Sequence, residues 1–390
     1  TKVFSPDVNA YRPTSGGNAL TSSYSINVTD PNFKYPQALK STLAVDKRLP
    51  GNWIITLEAN YTKNINSAFF QNVNLPTSGV ILNNGGDHRT RFSSTKIYPL
   101  QGTPTSVTNP NIGNAIYMTN VNKGYAFTGT FQIQKTFRNL YLNAFYTYTR
   151  SKDVMVGGST ASTMWGSRPV SSSPNSPDLG YSEGYLPHRV VVSASYRKEY
   201  AKHFATSVGL FYEAAPAGVG SYIYGSDLNN DGFSNDLIYI PRNSSEIKLT
   251  DPSQWTYLDN FINQDKYLSK HRGEYATRNG LIYPWFKRLD MNVTQDLYIV
   301  TKSNERHTLR ITIDIYNVGN LLNKNWGLYK TASTLQPIKL DKMDTDGVTP
   351  VFSVPNLLSN PSSFVNNTAS ATSSLLSRWQ AQIGFRYLFN

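Results

Sequence analysis

Cysteine is absent from the 390 residues, which excludes a disulfide framework and any thiolate metal site. Charge is sparse too, at 16% Asp, Glu, Lys and Arg. The net charge is +12, but no run of five basic residues occurs. We therefore expect no nucleic-acid partner. A scattered basic excess fits a solvated surface, or one that faces acidic lipid headgroups. No apolar run approaches the roughly 18–20 residues of a membrane helix. The opening Thr1-Lys2-Val3-Phe4 has neither the basic nor the apolar region of a signal peptide. For an exported protein, the expectation is that the targeting segment has been removed. Catalytic signals are missing as well. No Gly-x-Ser-x-Gly elbow is present, and His88, His188, His203, His271 and His307 show no metal spacing. Spacing alone cannot make an acid pair such as Asp227 and Asp231 a glycosidase site. No enzyme is expected.

What the chain does have is aromatic residues: 26 Tyr, 18 Phe and 6 Trp. Many recur with a period of two, the signature of a strand with unlike faces. Between Trp379 and Asn390, Trp379, Ala381, Ile383, Phe385, Tyr387 and Phe389 form one face, and Gln380, Gln382, Gly384 and Arg386 the other. The same alternation runs through residues 39–46, 53–62, 125–134, 140–149, 189–197, 204–212, 288–299 and 308–315, giving nine strands. The strand at 308–315 is expected to continue through a bulge near Asn320-Leu321-Leu322 to Trp326 and Tyr329. Short turns near Leu49–Asn52, Arg138-Asn139, Tyr200–Lys202 and Lys302–Glu305 alternate with long connections near 64–123, 151–185, 215–286 and 333–377. One helix is expected near 253–270, with Ser253 as N-cap and Trp255, Leu258, Phe261 and Ile262 on one side.

Short turns alternating strictly with long loops is the pattern of an outer-membrane barrel, with turns on the periplasmic side and loops outside. A soluble all-β sandwich is the competing reading, although it rarely carries loops of such length. The expected fold is all-β: an antiparallel transmembrane β-barrel segment in the bacterial outer membrane, with residues 1–36 a loop leading in and 37–390 the barrel portion. Closed single-chain barrels have an even strand number, so nine strands imply partner strands upstream. Glu58, Arg288, Asp290, Asp296, Arg310, Asp314 and Arg386 are expected to point inward, toward a hydrated interior or a plug.

One segment carries coordination chemistry. Asp227, Asn229 and Asp231 hold positions 1, 3 and 5 of an EF-hand-like loop, with Gly232 at position 6. Ile238 stands where the bidentate Glu belongs; Ser234 and Asp236 are the remaining candidate ligands. Calcium binding and a metal-free Asn/Asp turn both fit this pattern. Asp341, Asp344, Asp346 and Gly347 form a weaker second cluster.

Several longer stretches resemble the Oar-like branch of TonB-dependent outer-membrane receptors. They are Asp30-Pro31-Asn32-Phe33-Lys34-Tyr35-Pro36-Gln37, Ala44-Val45-Asp46-Lys47-Arg48-Leu49-Pro50-Gly51, Pro187-His188-Arg189-Val190, the Asp227–Gly232 segment, Asp236-Leu237-Ile238-Tyr239-Ile240-Pro241-Arg242, Asp265-Lys266-Tyr267-Leu268, and Tyr316 through Gly327. The last is similar to the Asn-Leu-Phe-Asp-Lys segment near the end of many such barrels. The resemblance implies a barrel of about 22 strands, of which this chain is the C-terminal part. It also implies an N-terminal plug and barrel portion, a TonB box that engages the TonB complex, and often a carboxypeptidase-regulatory-like domain. Two functions follow: substrate movement across the outer membrane, or a docking barrel that scaffolds surface partners without transporting a solute.

Overall fold

The computed structural model describes residue 7 and residues 24–93, 112–303, 305–359 and 369–389. The loop reading of residues 1–6 and 8–23, parts of two long connections (94–111 and 360–368), Asn304 in the last short turn, and Asn390 lie outside the described residues.

Nine long strands dominate: β1 (Ala38–Leu49), β2 (Trp53–Asn64), β3 (Tyr125–Phe137), β4 (Leu140–Asp153), β5 (His188–Tyr200), β6 (Phe204–Pro216), β7 (Trp285–Val300), β8 (Arg306–Tyr316) and β9 (Gln380–Phe389). They lie side by side in chain order, each antiparallel to the next. A two-residue strand, Gly180–Tyr181, adds to the end of β4. Among the described residues, β1 and β9 each pair along one edge only and not with each other.

The register keeps the two faces separate. Val45, Leu57, Phe131, Tyr146 and Val190 line up across β1 to β5 on one face. Leu210, Met291, Ile315 and Ala381 do so across β6 to β9. The other face carries Ser195, Gly209, Asn292, Asp314 and Gln382 in one row. A slip of one residue in any strand would put its aromatic side chains among these polar ones. The turns hold the register. Gly51 and Asn52 take φ of 76° and 62°, and Ala201 and Lys202 take 51° and 61°. This left-handed backbone matches the twist of the flanking strands.

Burial is inverted relative to a water-soluble sandwich. The apolar face of the sheet lies open, with Leu43 70% and Phe385 72% exposed, while Trp165, Phe261 and Phe352 in the long connections are fully buried. Those connections carry the core. One cluster gathers Leu82, Tyr222, Tyr224, Phe261, Ile338 and Phe352; a second gathers Phe70, Leu75, Phe92, Ile116 and Trp165. All four long connections contribute, and together they form a folded cap.

The cap contains more structure than the expected loops. A strand at Ile112–Val121 pairs with Ser67–Asn72 and, in parallel, with Tyr24–Thr29. The reading of residues 1–36 as loop therefore misses a strand, because its partner lies some ninety residues away and leaves no local period. The expected helix is present as Trp255–Gln264, with Leu258, Phe261 and Ile262 buried. It is preceded by a short 3-10 turn, Pro252–Gln254, capped by Asp251 and not by Ser253. The proline pre-sets the helical start one position past the cap. The expected continuation of β8 through a bulge is replaced by a short helix, Val318–Leu322. Asn317 takes φ of 56° there, which ends the strand.

Candidate functional site

The Asp227–Asp236 segment folds into a tight loop in which side-chain oxygens accept backbone N–H groups. Asp227 accepts from Asp231 at 3.2 Å and Gly232 at 2.7 Å. Asn229 Oδ1 accepts from Asp231 at 2.9 Å, and Asp231 accepts from Phe233 at 2.8 Å. The Asn229 amide donates to Asp231 at 3.0 Å. Asn230 and Gly232 supply the positive φ that the turn requires, 61° and 96°. Asn229 and Asp231 are buried and Asp227 is half-buried. The structure thus brings Asp227, Asn229, Asp231 and Asp236 together and leaves Ser234 exposed.

Asp236 stands at the centre of a buried ionic network. One carboxylate oxygen accepts from the backbone N–H of Leu228 and Asn229, at 2.8 and 3.0 Å. The other meets Arg89 Nη1 at 2.9 Å. Arg89 also binds Asp87 at 2.9 Å and the Leu237 carbonyl at 2.5 Å, and its guanidinium lies 5.3 Å from the ring centres of Tyr224 and Tyr275. The hydroxyls of Tyr224 and Tyr275 donate to Asp87. Arg91 reaches the Asp227 and Leu228 carbonyls. Four carboxylates therefore share the region with two guanidinium groups.

The electrostatics follow. Burial, with Asp236 and Asp227 close by, pushes the Asp231 carboxyl up to about 7. Burial also raises Asp227 and Asp236; Arg89 opposes the effect on Asp236. Burial disfavours the Arg89 cation, but Asp87 and Asp236 outweigh it and hold the group above the ordinary arginine range. Tyr275 is pushed up to about 12 by burial and by Asp87. Asp87 and Arg89 were not singled out by sequence reasoning. The neighbouring Asn84-Gly85-Gly86 reads only as a turn. The partner Asp236 lies 147 residues away.

The second acidic cluster does not converge. Asp344 pairs with Lys248, Asp341 accepts from Thr250 and Ser353, and Asp346 accepts from its own turn at Val348 and Thr349. Among the described residues, no three His, Asp or Glu side chains form a group that could hold a metal ion by themselves. A cation at Asp227–Asp231 would therefore also need amide or carbonyl oxygens, such as that of Asn229.

The polar face of the sheet is built from mutually neutralised charges. Asp296 receives Arg310 through Nε at 2.7 Å and Nη2 at 2.9 Å, and Arg197 at 3.2 Å. Glu213 pairs with Arg189 at 2.7 Å, and Arg288 with Asp290 at 3.1 Å. The register puts Glu58, Asp314 and Arg386 on this same face. No protein-family model and no curated protein matches the chain.

Proposed function

We propose that this chain is the C-terminal barrel portion of a TonB-dependent receptor in the bacterial outer membrane. One observation carries the membrane reading: the exposed apolar face is bounded by two aromatic rows. Near the long connections, Phe127, Tyr148, His188 and Trp285 follow one another across β3, β4, β5 and β7, with ring centres 6.4, 5.5 and 6.1 Å apart. Near the short turns lie Trp53, Tyr200, Phe204, Tyr387 and Phe389. On β5, His188 and Tyr200 are twelve residues apart. That is about 40 Å along a strand and, at a tilt of about 40°, about 30 Å of membrane thickness. This matches a hydrocarbon core flanked by aromatic girdles. The strands, 10 to 16 residues long, are long enough to cross. The short turns are then periplasmic, and the cap faces outside.

In this reading the unpaired edges of β1 and β9 join further strands of the same receptor. The stretches that resemble TonB-dependent receptors support an upstream plug and TonB box. Ligand capture by the cap, plug rearrangement and passage through the polar interior would follow in that order. The test uses the full-length protein in cells. It is expected in the outer-membrane fraction, resistant to carbonate extraction, with slower gel mobility after boiling, and it should bind the periplasmic domain of TonB. Recovery in the aqueous fraction would remove the membrane reading. Membrane insertion without TonB binding would leave the docking barrel in its place.

Within the cap we infer a hard-cation site at Asp227, Asn229 and Asp231, with Asp236 behind them; Ser234 is exposed and takes no part. The excess of carboxylates over guanidinium groups supports it. A calcium ion there would rigidify the outer loop, and calcium at about 100 times its Kd would raise stability by about 2.7 kcal/mol. Calorimetric titration should show calcium binding that Asp231→Ala abolishes. Equal binding by the variant would exclude the loop.

A further inference from the structure

The four short turns share one end of the sheet, because β1–β2, β3–β4, β5–β6 and β7–β8 are successive antiparallel pairs. That end is strongly basic. Residues 46–54, 134–140, 196–204 and 299–307 hold nine Lys and Arg against three Asp and Glu. Nine against three leaves +6, half of the chain's +12, on four short segments. On the polar face and in the cap, arginines such as Arg89, Arg189, Arg278 and Arg310 each hold a carboxylate. Among the described residues, only Arg197 of the nine turn-end cations does so, with Glu199 and Asp296. The other two acids are engaged by hydroxyls: Asp46 accepts from Thr56, and Glu305 from Ser303. Eight cations at this end therefore have no carboxylate within ion-pair distance among the described residues.

Three of these cations lie against aromatic rings. Lys135 Nζ is 4.6 Å from the Trp53 ring centre, the Arg138 guanidinium 5.4 Å from that of Phe137, and the Arg306 guanidinium 3.7 Å from that of Tyr298. A ring face orients a cation without using up its N–H donors. Between the first two turns, a cleft of about 410 Å³ is lined by Arg48, Asn52, Ile54, Gln134, Lys135 and Thr136. It brings a guanidinium and an ammonium together with two side-chain amides and no carboxylate. This donor set suits a carboxylate, which a guanidinium can hold through two parallel hydrogen bonds. The next three turns each carry an exposed cation, Arg138, Lys202 and Lys302. Their turns follow one another every two strands, about 10 Å in the hydrogen-bonding direction. Lys202 is two residues past Tyr200 of the turn-side aromatic row, beyond the reach assigned to lipid. Points of charge spaced in this way suit a polymer that repeats its carboxylates; a folded protein partner would need a continuous apolar centre.

We propose that the short-turn end docks the anionic saccharide–peptide polymer of the cell wall, with one carboxylate seated between Arg48 and Lys135 and others met singly by Arg138, Lys202 and Lys302. This rests on the membrane reading above, which turns that end toward the periplasm. The full-length protein, extracted from outer membranes in detergent, is mixed with purified wall sacculi and sedimented. It is expected in the pellet at low salt and in the supernatant at high salt, where exposed charges are screened. Sacculi whose carboxylates have been amidated should not retain it. Combined Arg48→Gln, Lys135→Gln and Arg138→Gln should weaken retention by about tenfold, while Lys339→Gln with Lys342→Gln, on an exposed cap strand, leaves it unchanged. Gel mobility before and after boiling checks that each variant is folded; the single variants carry the test if the triple variant is not. Soluble wall fragments should release the protein at carboxylate concentrations where polyglutamate does not. Equal retention by amidated sacculi or by the folded triple variant would overturn the proposal. Equal release by polyglutamate would make the surface one for acidic polypeptides and overturn the wall assignment. Protein found in the outer membrane but not retained by sacculi would remove the docking alone, whereas recovery in the aqueous fraction of cells would remove the membrane reading.

Discussion

Arg89→Met is expected to destabilise the cap by about 3–5 kcal/mol, the usual cost of leaving buried charges without their partner. Arg89 is the cation between Asp87 and Asp236, and all three side chains are essentially fully buried. Methionine fills similar space but returns no charge. Both carboxylates would then have to take up protons or admit water, and the Leu237 carbonyl would lose its donor. Asp236 also anchors the N–H groups of Leu228 and Asn229, so its disturbance passes directly into the Asp227–Asp231 loop. Hydrogen exchange should show amides 222–240 losing protection while the amides of β5 and β6 keep theirs. Adding Asp87→Leu to Arg89→Met should recover part of the loss, because one uncompensated charge disappears. A change below about 1 kcal/mol, or loss of protection spread evenly over the sheet, would show that the network does not hold the cap.

Phe131→Arg is expected to cost about 2–4 kcal/mol in the membrane, the penalty for a cation near the midplane of a barrel's lipid face. Phe131 sits in the middle of β3 between Leu57 and Tyr146 and is 40% exposed. In water, a substitution at so exposed a position would stay within about 0.5 kcal/mol. The two environments therefore predict different outcomes for one variant. Thr130→Arg, on the opposite face beside Thr147, should be tolerated among the charges already there. Folding into lipid vesicles, followed by urea titration, gives both values. Equal costs at Phe131 and Thr130 would mean that neither face meets lipid.

The sheet was legible because a period of two survives in any window that contains it. Leu289, Met291 and Val293 declare a face without reference to any partner, and Gly51-Asn52 declares a turn. The cap was much less legible. Leu82 and Phe352 share one core, but no spacing relates residues so far apart, and irregular connections give burial no period. The helix at Trp255–Gln264 is the exception, because Leu258, Phe261 and Ile262 keep a helical interval. The candidate site divides the same way. Asp227, Asn229 and Asp231 were readable from their spacing and do converge. Asp87 and Arg89 were not, since only the folded chain brings them to Asp236. Ser234, included on spacing alone, is exposed.

One face of the sheet is expected to meet lipid and the other water. These 390 residues contain no cysteine, so single cysteines can be placed at each position from Phe127 to Gln134 on β3, in protein embedded in outer membranes with any cysteine outside this stretch replaced. A lipid-soluble thiol reagent should label positions 127, 129, 131 and 133, and a membrane-impermeant one 128, 130, 132 and 134, with the preference reversing at every step. Uniform labelling of all eight positions by the impermeant reagent would mean that neither face of the sheet meets lipid.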